Sequence, residues 1–489
     1  MPLWSAFVGG AAPARSGTIE TERCVNLYPS TVDSQGNAKK ASLDGTPGLK
    51  PLGTLATSPG RGRWTEDGRT FTVSGDRLYE ETFSPGYAAI DRGQILNDGH
   101  PVSSASNGDG GTQRVFVGGG QLKVLNLTTN VLSAAIALPL THLPVQVGFL
   151  DGYFLLSEAD SLRVWFSALE NGSSWGALDF FTRSTASDRV VGMVTTLTRV
   201  WIFGSETSEA YENIGAALNP FQPIKGSLFP IGAASPWAIS VDDDTIRWVG
   251  QSSRGRAVYQ LAGYGGHAIS TKAIATALEG YPSLANTEAF TYEQDGHHFY
   301  ALTCPTAGDA GVTWVWDATE SLWHQRAGWD SVRGVETAWR VRGHACVNGQ
   351  HVVGSRDSGA VWTLDLDTFD DDGAVLRAVR RAPYLSDENQ LGFLDAIEIG
   401  TQAGVGLNAG QGSDPQIRLN LSKDCGQTWP ITRTTSLGVM GAYGQRVKWD
   451  KLGRTRLDRL VIETVISDPV RRVLGPGAWV RVTPGTGQR

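Results

Sequence analysis

A three-strand pattern recurs along the chain between about residue 60 and residue 367, and this repetition limits the available folds more than any other feature. Each unit runs apolar strand, turn, second strand, turn, third strand. Such a unit cannot bury its apolar face alone, so neighbours must stack to build a core. The middle strands read FTVSG from Phe71, VFVGG from Val115, YFLLS from Tyr153, VWIFG from Val200, IRWVG from Ile246, HFYAL from His298 and HVVGS from His351. The third strands follow as RLYE, KVLN, RVWF, EAYE, AVYQ, WVWD and AVWT. Their third letters are Tyr79, Leu125, Trp165, Tyr211, Tyr259, Trp316 and Trp362, at successive spacings of 46, 40, 46, 48, 57 and 46 residues.

That period suits four-stranded propeller blades and is too long for leucine-rich or ankyrin repeats. The turns agree. Glu66-Asp67-Gly68, Asp151-Gly152, Asp242-Asp243-Asp244, Gln294-Asp295-Gly296 and Asn348-Gly349 each fall between two strands of a unit, where Asn, Asp and Gly tolerate the positive φ of tight hairpins. Gly118-Gly119-Gly120 precedes a strand instead of a helix and reads as a hairpin turn, not a phosphate cradle. The expectation is an all-β chain with a six- or seven-bladed β-propeller, the faintest unit being a blade or a connection. Stacked β-sandwiches are the alternative arrangement. One short helix is expected at Ser270 to Glu279, where Ser and Thr precede a one-sided apolar pattern.

Composition supports a turn-rich folded protein, with 60 glycines, 16 tryptophans and 40 % apolar residues among 489. The formal net charge of −7 excludes a molecule that holds DNA by overall electrostatics. Cys24, Cys304, Cys346 and Cys425 form no CxxC pair, which argues against a zinc site or a disulfide framework. No secretory signal is read at the N-terminus, and the longest apolar run, Leu132 to Leu140, is too short to span a bilayer.

The flanks divide the chain into an extended N-terminal segment (1–57) packing on other domains, the propeller (58–367) and a C-terminal β-sandwich-like platform (368–489). The acidic run Asp365 to Asp372 marks the second boundary and reads as a solvated linker, because it lacks the spaced ligands of a calcium loop. Beyond it, alternating strands begin at Phe393, Gln416, Gln445, Arg459 and Trp479.

Few residues invite chemistry. Ser422, Asp424, Gly426, Thr428 and Trp429 match S-x-D-x-G-x-T-W, the Asp-box hairpin, a structural device in which the aspartate accepts turn N–H groups and the tryptophan packs beneath. His297, His298, His324, His344 and His351 are the clustered histidines. Adjacent strand residues face opposite ways, so His297 and His298 do not share a simple metal site. No nucleophile elbow, P-loop, Rossmann fingerprint or H-E-x-x-H is read in the chain. No catalytic, cofactor-binding or metal residue is expected. Arg446, Lys448, Lys451, Arg454, Arg456 and Arg459 make a basic cluster inside an acidic protein, suited to inter-subunit salt bridges or to DNA phosphates, the former preferred. Loops at Ser103 to Thr112 and Cys304 to Gly311 are candidate mobile tips, with ordinary surface loops the simpler reading.

Several segments in order, NLYPS at Asn26 to Ser30, TPGL at Thr46 to Leu49, SGDRLYE at Ser74 to Glu80, FGSETSEAYENIG at Phe203 to Gly215, GHHFYAL at Gly296 to Leu302, the stretch Trp314 to Arg326, and RVKWDKLGRTR at Arg446 to Arg456, resemble the packaged-DNA stabilisation family, the tail hub or nozzle proteins of short-tailed bacteriophages. The resemblance implies a non-enzymatic virion protein of the phage tail, made in the host cytoplasm, that closes the portal–adaptor channel, retains packaged DNA and forms the ejection conduit. It further implies a homo-hexamer bound to an adaptor ring, tail spike or fibre proteins and a plug or needle, with transient passage of double-stranded DNA and no membrane insertion. The alternative function is a glycan-binding or glycan-hydrolysing propeller on a fibre or cell surface.

Overall fold

The computed structural model describes residues 3–13, 21–32, 40–108, 110–242, 244–253, 255–384 and 391–484; Asp243 of the expected turn and parts of the expected N-terminal segment lie outside them. Each of the seven repeats forms an antiparallel meander. Blade one comprises Gly60–Glu66, Arg69–Ser74, Arg77–Thr82 and Ala88–Gln94. Blades two, three and four follow the same meander from Ser103–Ser106, Pro144–Leu150 and Val190–Thr195. In blade five, Gly232–Ala233 and Ser240–Asp242 both pair with Thr245–Ser252, which continues into Gly255–Ala262 and Gly265–Ala268. Blade six runs Glu288–Gln294, His297–Cys304, Val312–Asp317 and Leu322–Asp330.

Blade seven draws only three strands from its own stretch, Val341–Val347, Gln350–Ser355 and Ala360–Asp365. Its outermost strand is Gly48–Thr54, antiparallel to Ala360–Asp365 with Leu49 opposite Leu364. A strand from before the first blade therefore closes the ring. Pro51 is tolerated there because the strand is an edge and needs no outward N–H. The hairpins carry the expected turn chemistry: φ is positive at Asp67 and Gly68, Asp151 and Gly152, Asp295 and Gly296, Asn348 and Gly349, and Gly119 and Gly120. Two successive positive φ values give the twist of a type I′ turn, which matches the strands it joins.

The repeat position at the third letter explains how blades stack. Each of these side chains enters the core shared with the preceding blade. Tyr79 packs with Ala345, Val352 and Val361 of blade seven. Leu125 meets Phe71 and Val73 of blade one, and Trp165 meets Val115 and Val117 of blade two. Tyr211 joins Leu155 and Val164, Tyr259 packs against Trp201 and Phe203, Trp316 joins Val249 and Val258, and Trp362 joins Phe299 and Val315. The helix forms at Lys272–Gly280 between blades five and six; Thr271 caps it by accepting from the Ile274 N–H, and Ile274 and Leu278 are buried.

The C-terminal region builds two sheets. One takes the order Leu27–Val32, Lys40–Gly45, Val473–Pro484, Leu391–Thr401, Val447–Arg456. The other contains Thr21–Val25, Ala378–Arg381, Val461–Ile466, Gln416–Ser422 and Ile431–Ser436, and it does not end at the domain. Val25 pairs in parallel with Gln325 of the last strand of blade six, so propeller and sandwich share one eleven-stranded sheet. Asn26 secures the join: its side chain donates to the carbonyls of Ala327 and Arg377 at 2.9 Å each and accepts from the Ala327 N–H at 3.0 Å.

The acidic run is not a solvated linker. Asp371 is 1 % exposed, Trp362 donates to Asp372 at 3.0 Å, and the carbonyls of Thr368 and Asp370 accept from Gly48 and Leu49 at 2.9 Å each. The segment is held because it caps the closing strand. Ser103–Ser106 likewise is not a tip; it is the innermost strand of blade two.

Candidate functional site

The first strands of blades one, two, three, six and seven, together with the Pro236–Ala238 turn, line a half-open cavity of about 270 Å³ near the propeller axis. Arginines dominate its polar lining. Arg61, from blade one, donates to the carbonyls of His100 at 2.7 Å and Leu96 at 2.8 Å and to Asp98 at 2.5 Å, riveting blade one to the connection into blade two. Arg63 grips Glu81 through Nε and Nη2 at 2.9 Å each. Arg342 of blade seven forms a two-pronged pair with Glu288 of blade six, and Arg356 donates to the same carboxylate at 3.0 Å. Trp64, Trp237, Phe290 and His344 supply the aromatic part of the wall. Burial, then its neighbours His351 and Arg63, push His344 down to about 3, so its ring is neutral at physiological pH.

A second polar centre sits where propeller and sandwich meet. Asp371 is surrounded by Arg326, Arg340 and Arg472, yet its carboxylate oxygens have no hydrogen-bond partner among the described residues. Burial outweighs the three cations and lifts it to about 6. Arg326 lies over the Trp339 ring at 3.8 Å and donates to the Pro47 carbonyl at 2.7 Å. Arg472 donates to the Phe369 carbonyl at 2.6 Å, and burial lowers it to about 10.

The basic cluster occupies Val447–Arg456 and its two ends, an edge strand of the sandwich. Arg446, Lys451, Arg454, Arg456 and Arg459 are exposed, while Lys448 is half-buried. Arg446 pairs with Glu398 at 2.5 Å and Lys448 with Asp450 at 2.8 Å. Arg456 and Arg459 both approach Asp458 at 4.0 Å. Val447 and Trp449 follow strand alternation, and a bulge at Lys451 to Gly453, where both take positive φ, then shifts the buried positions to Leu452 and Thr455 and leaves the cations outside.

The Asp-box forms the turn between Gln416–Ser422 and Ile431–Ser436. Asp424 accepts from the Thr428 N–H at 2.8 Å, from the Thr428 hydroxyl at 2.5 Å and from Ser422 at 2.6 Å. These bonds hold its carboxyl down at about 2. Cys425 and Gly426 take positive φ, and Trp429 stacks under the Arg381 guanidinium at 4.7 Å. His297 is buried on Asp317 at 2.7 Å, whereas His298 faces outward beside Asp242 and Glu293. His344 and His351 share a 3.0 Å contact. Among the described residues no group of three His, Cys, Asp or Glu is placed to hold a metal ion. One motif escaped the sequence reading: Gly172-Ser173-Ser174-Trp175-Gly176 has the spacing of a nucleophile elbow. It lies in the connection between Arg163–Phe166 and Phe180–Thr182 with no helix after it, so it lacks the strand–turn–helix geometry that exposes such a serine.

Two family models match the chain in tandem. One, described as bacteriophage P22 Gp10, beta-propeller, covers residues 7–369. The other, described as bacteriophage P22 Gp10, beta-sandwich, covers residues 377–461. The chain belongs to the bacteriophage P22 Gp10 family. It is thus a phage structural protein of the virion, and the two family regions correspond to the propeller and sandwich seen here. No curated protein sequence matches it. Among solved structures, it is similar to a streptogramin B lyase at 9 % identity, with 64 % of this chain and 96 % of that chain covered and a TM-score of 0.41. The N-terminal domain of Nup159 matches at 9 % identity, 65 % and 95 % coverage and a TM-score of 0.40. BamB from Moraxella catarrhalis matches at 11 % identity, 64 % and 99 % coverage and a TM-score of 0.36. No helix among the described residues is long and apolar enough to cross a membrane.

Proposed function

We propose that this protein is the tail nozzle or hub of its phage: a homo-hexameric ring that stacks on the adaptor ring below the portal, retains packaged DNA and forms the conduit through which the genome leaves. The observation that carries this reading is the tandem match to the P22 Gp10 propeller and sandwich over residues 7–369 and 377–461. The single sheet running through both parts supports it, because a conduit under load needs domains that do not swing against each other. A mildly acidic surface supports it too, since DNA slides past such a wall instead of binding it. In this role the sandwich supplies ring contacts through its basic edge strand, and the propeller offers faces for a spike or fibre and for a plug or needle. The work is steric, with no bond made or broken.

Negative-stain electron microscopy of the purified chain, alone and mixed with its cognate portal and adaptor rings, tests the proposal. A six-fold ring stacked on the adaptor is expected. Single particles that ignore the adaptor and bind glycans would overturn it in favour of an adhesin.

A further inference from the structure

The axial cavity of the propeller holds a charge imbalance that its own residues do not resolve. Four arginines line it, against one lining carboxylate, Glu288. Arg61 and Arg63 are each matched from behind the wall, by Asp98 and Glu81. Arg342 and Arg356 share Glu288 between them, with side-chain exposures of only 12 %, 14 % and 11 % for the three groups. Two largely buried guanidiniums on one carboxylate leave a net positive charge that an anion can complete. Arg356 donates to Glu288 through Nη2, while its buried Nε has no hydrogen-bond partner among the described residues.

We infer that the axial cavity is a binding site for one small oxyanion of the phosphate or carboxylate type, held by Arg356 beside the Arg342–Glu288 pair. A guanidinium with free donors recognises such an oxyanion by paired N–H···O bonds, which strengthen as water is excluded. The volume admits a few heavy atoms and no polymer. Because the first strands of blades six and seven meet at this point, a bound oxyanion ties those neighbouring blades together.

The test is the melting temperature of the full chain in inorganic phosphate, and separately in acetate, each against sodium chloride at matched ionic strength. A ligand present at about ten times its Kd is expected to raise Tm by about 1–3 °C. Phosphate alone raising Tm identifies a phosphate-type ligand, and acetate doing so identifies a carboxylate-type ligand; either result supports the site. The increment is expected to vanish in Arg356→Gln and to fall in Arg356→Lys, which keeps a cation but loses the planar fork. Should Arg356→Gln fail to fold, the Arg356→Lys variant decides. No increment in the wild type with either anion overturns the inference. An equal increment in wild type and variants also overturns it, because the anion then binds elsewhere, as on the exposed basic strand.

Discussion

At the level of single residues, Asp371 carries the clearest consequence. Its carboxyl is raised from an ordinary 3.8 to about 6 because burial opposes the charged form more strongly than Arg326, Arg340 and Arg472 favour it. The folded state therefore binds this proton more tightly than the unfolded state does. The stabilisation it gives is complete below about pH 4 and is lost as pH rises through about 6. Asn cannot titrate, so the stability difference between Asp371→Asn and wild type should move in the variant's favour by about 2 kcal/mol between pH 4 and pH 7. Urea unfolding at a series of pH values measures this, and a flat difference would show that the carboxyl keeps an ordinary pKa. His324 and His344, both lowered to about 3 by burial, act in the opposite sense, destabilising the fold as pH drops below their unfolded value near 6.5. Their effect cancels in the comparison of the two proteins. None of this was legible in the sequence, where Asp371 stands in an acidic run that resembles solvated linker. Its burial depends on Arg326 and Arg472, which lie far away along the chain on either side.

Among elements, the blade interface is where sequence and structure correspond best. The third-letter position was visible because it recurs at nearly constant spacing, and in the fold it fills the same place between neighbouring blades seven times. Replacing Trp165, which is 1 % exposed among Val115, Val117 and Phe154, by Ala should cost about 3–5 kcal/mol and lower Tm accordingly. Trp362→Ala should cost at least as much, because it also removes the bond to Asp372 and loosens the segment that caps the closing strand. The closing strand itself was hidden. Gly48–Thr54 has no periodicity of its own, and its partner Ala360–Asp365 lies some three hundred residues away, so no local pattern marks the pair. Leu49→Asp, which places a charge at a 0 % exposed position in the core between blades six and seven, should open the ring. Limited proteolysis is expected to cut that variant first around blades one and seven; a wild-type cleavage pattern would mean the ring holds without its closing strand. The shared sheet escaped notice for a similar reason, since it rests on one parallel pairing, Val25 with Gln325, and on the Asn26 side chain.

For the whole molecule, the question is what the basic edge strand does in a protein of net charge −7. An edge strand offers unpaired backbone groups, and outward cations deter a like-charged copy from pairing with it. Removing the cluster's charge from the total leaves the remainder still more acidic, so in the proposed ring the strand of one copy is complementary in charge to the acidic surface of another. A contact between two different patches is heterologous, and repeated with rotation it closes into a ring. DNA phosphates are the competing target, and the two differ in what neutralisation would change. Lys451, Arg454 and Arg456 point away from the core, so replacing all three by Gln should alter the stability of the isolated chain by no more than about 0.5 kcal/mol per site. If the strand serves ring contacts, the triple variant should sediment as a smaller species at 0.15 M salt, where charges beyond about 8 Å are screened and only close pairs count. Wild-type rings should then loosen as salt is raised, while affinity for double-stranded DNA at low salt stays weak in both proteins. Intact rings in the variant, together with loss of strong low-salt DNA binding seen in the wild type, would place the strand against the genome instead. Sedimentation velocity and a gel-shift titration on the same two preparations separate these outcomes.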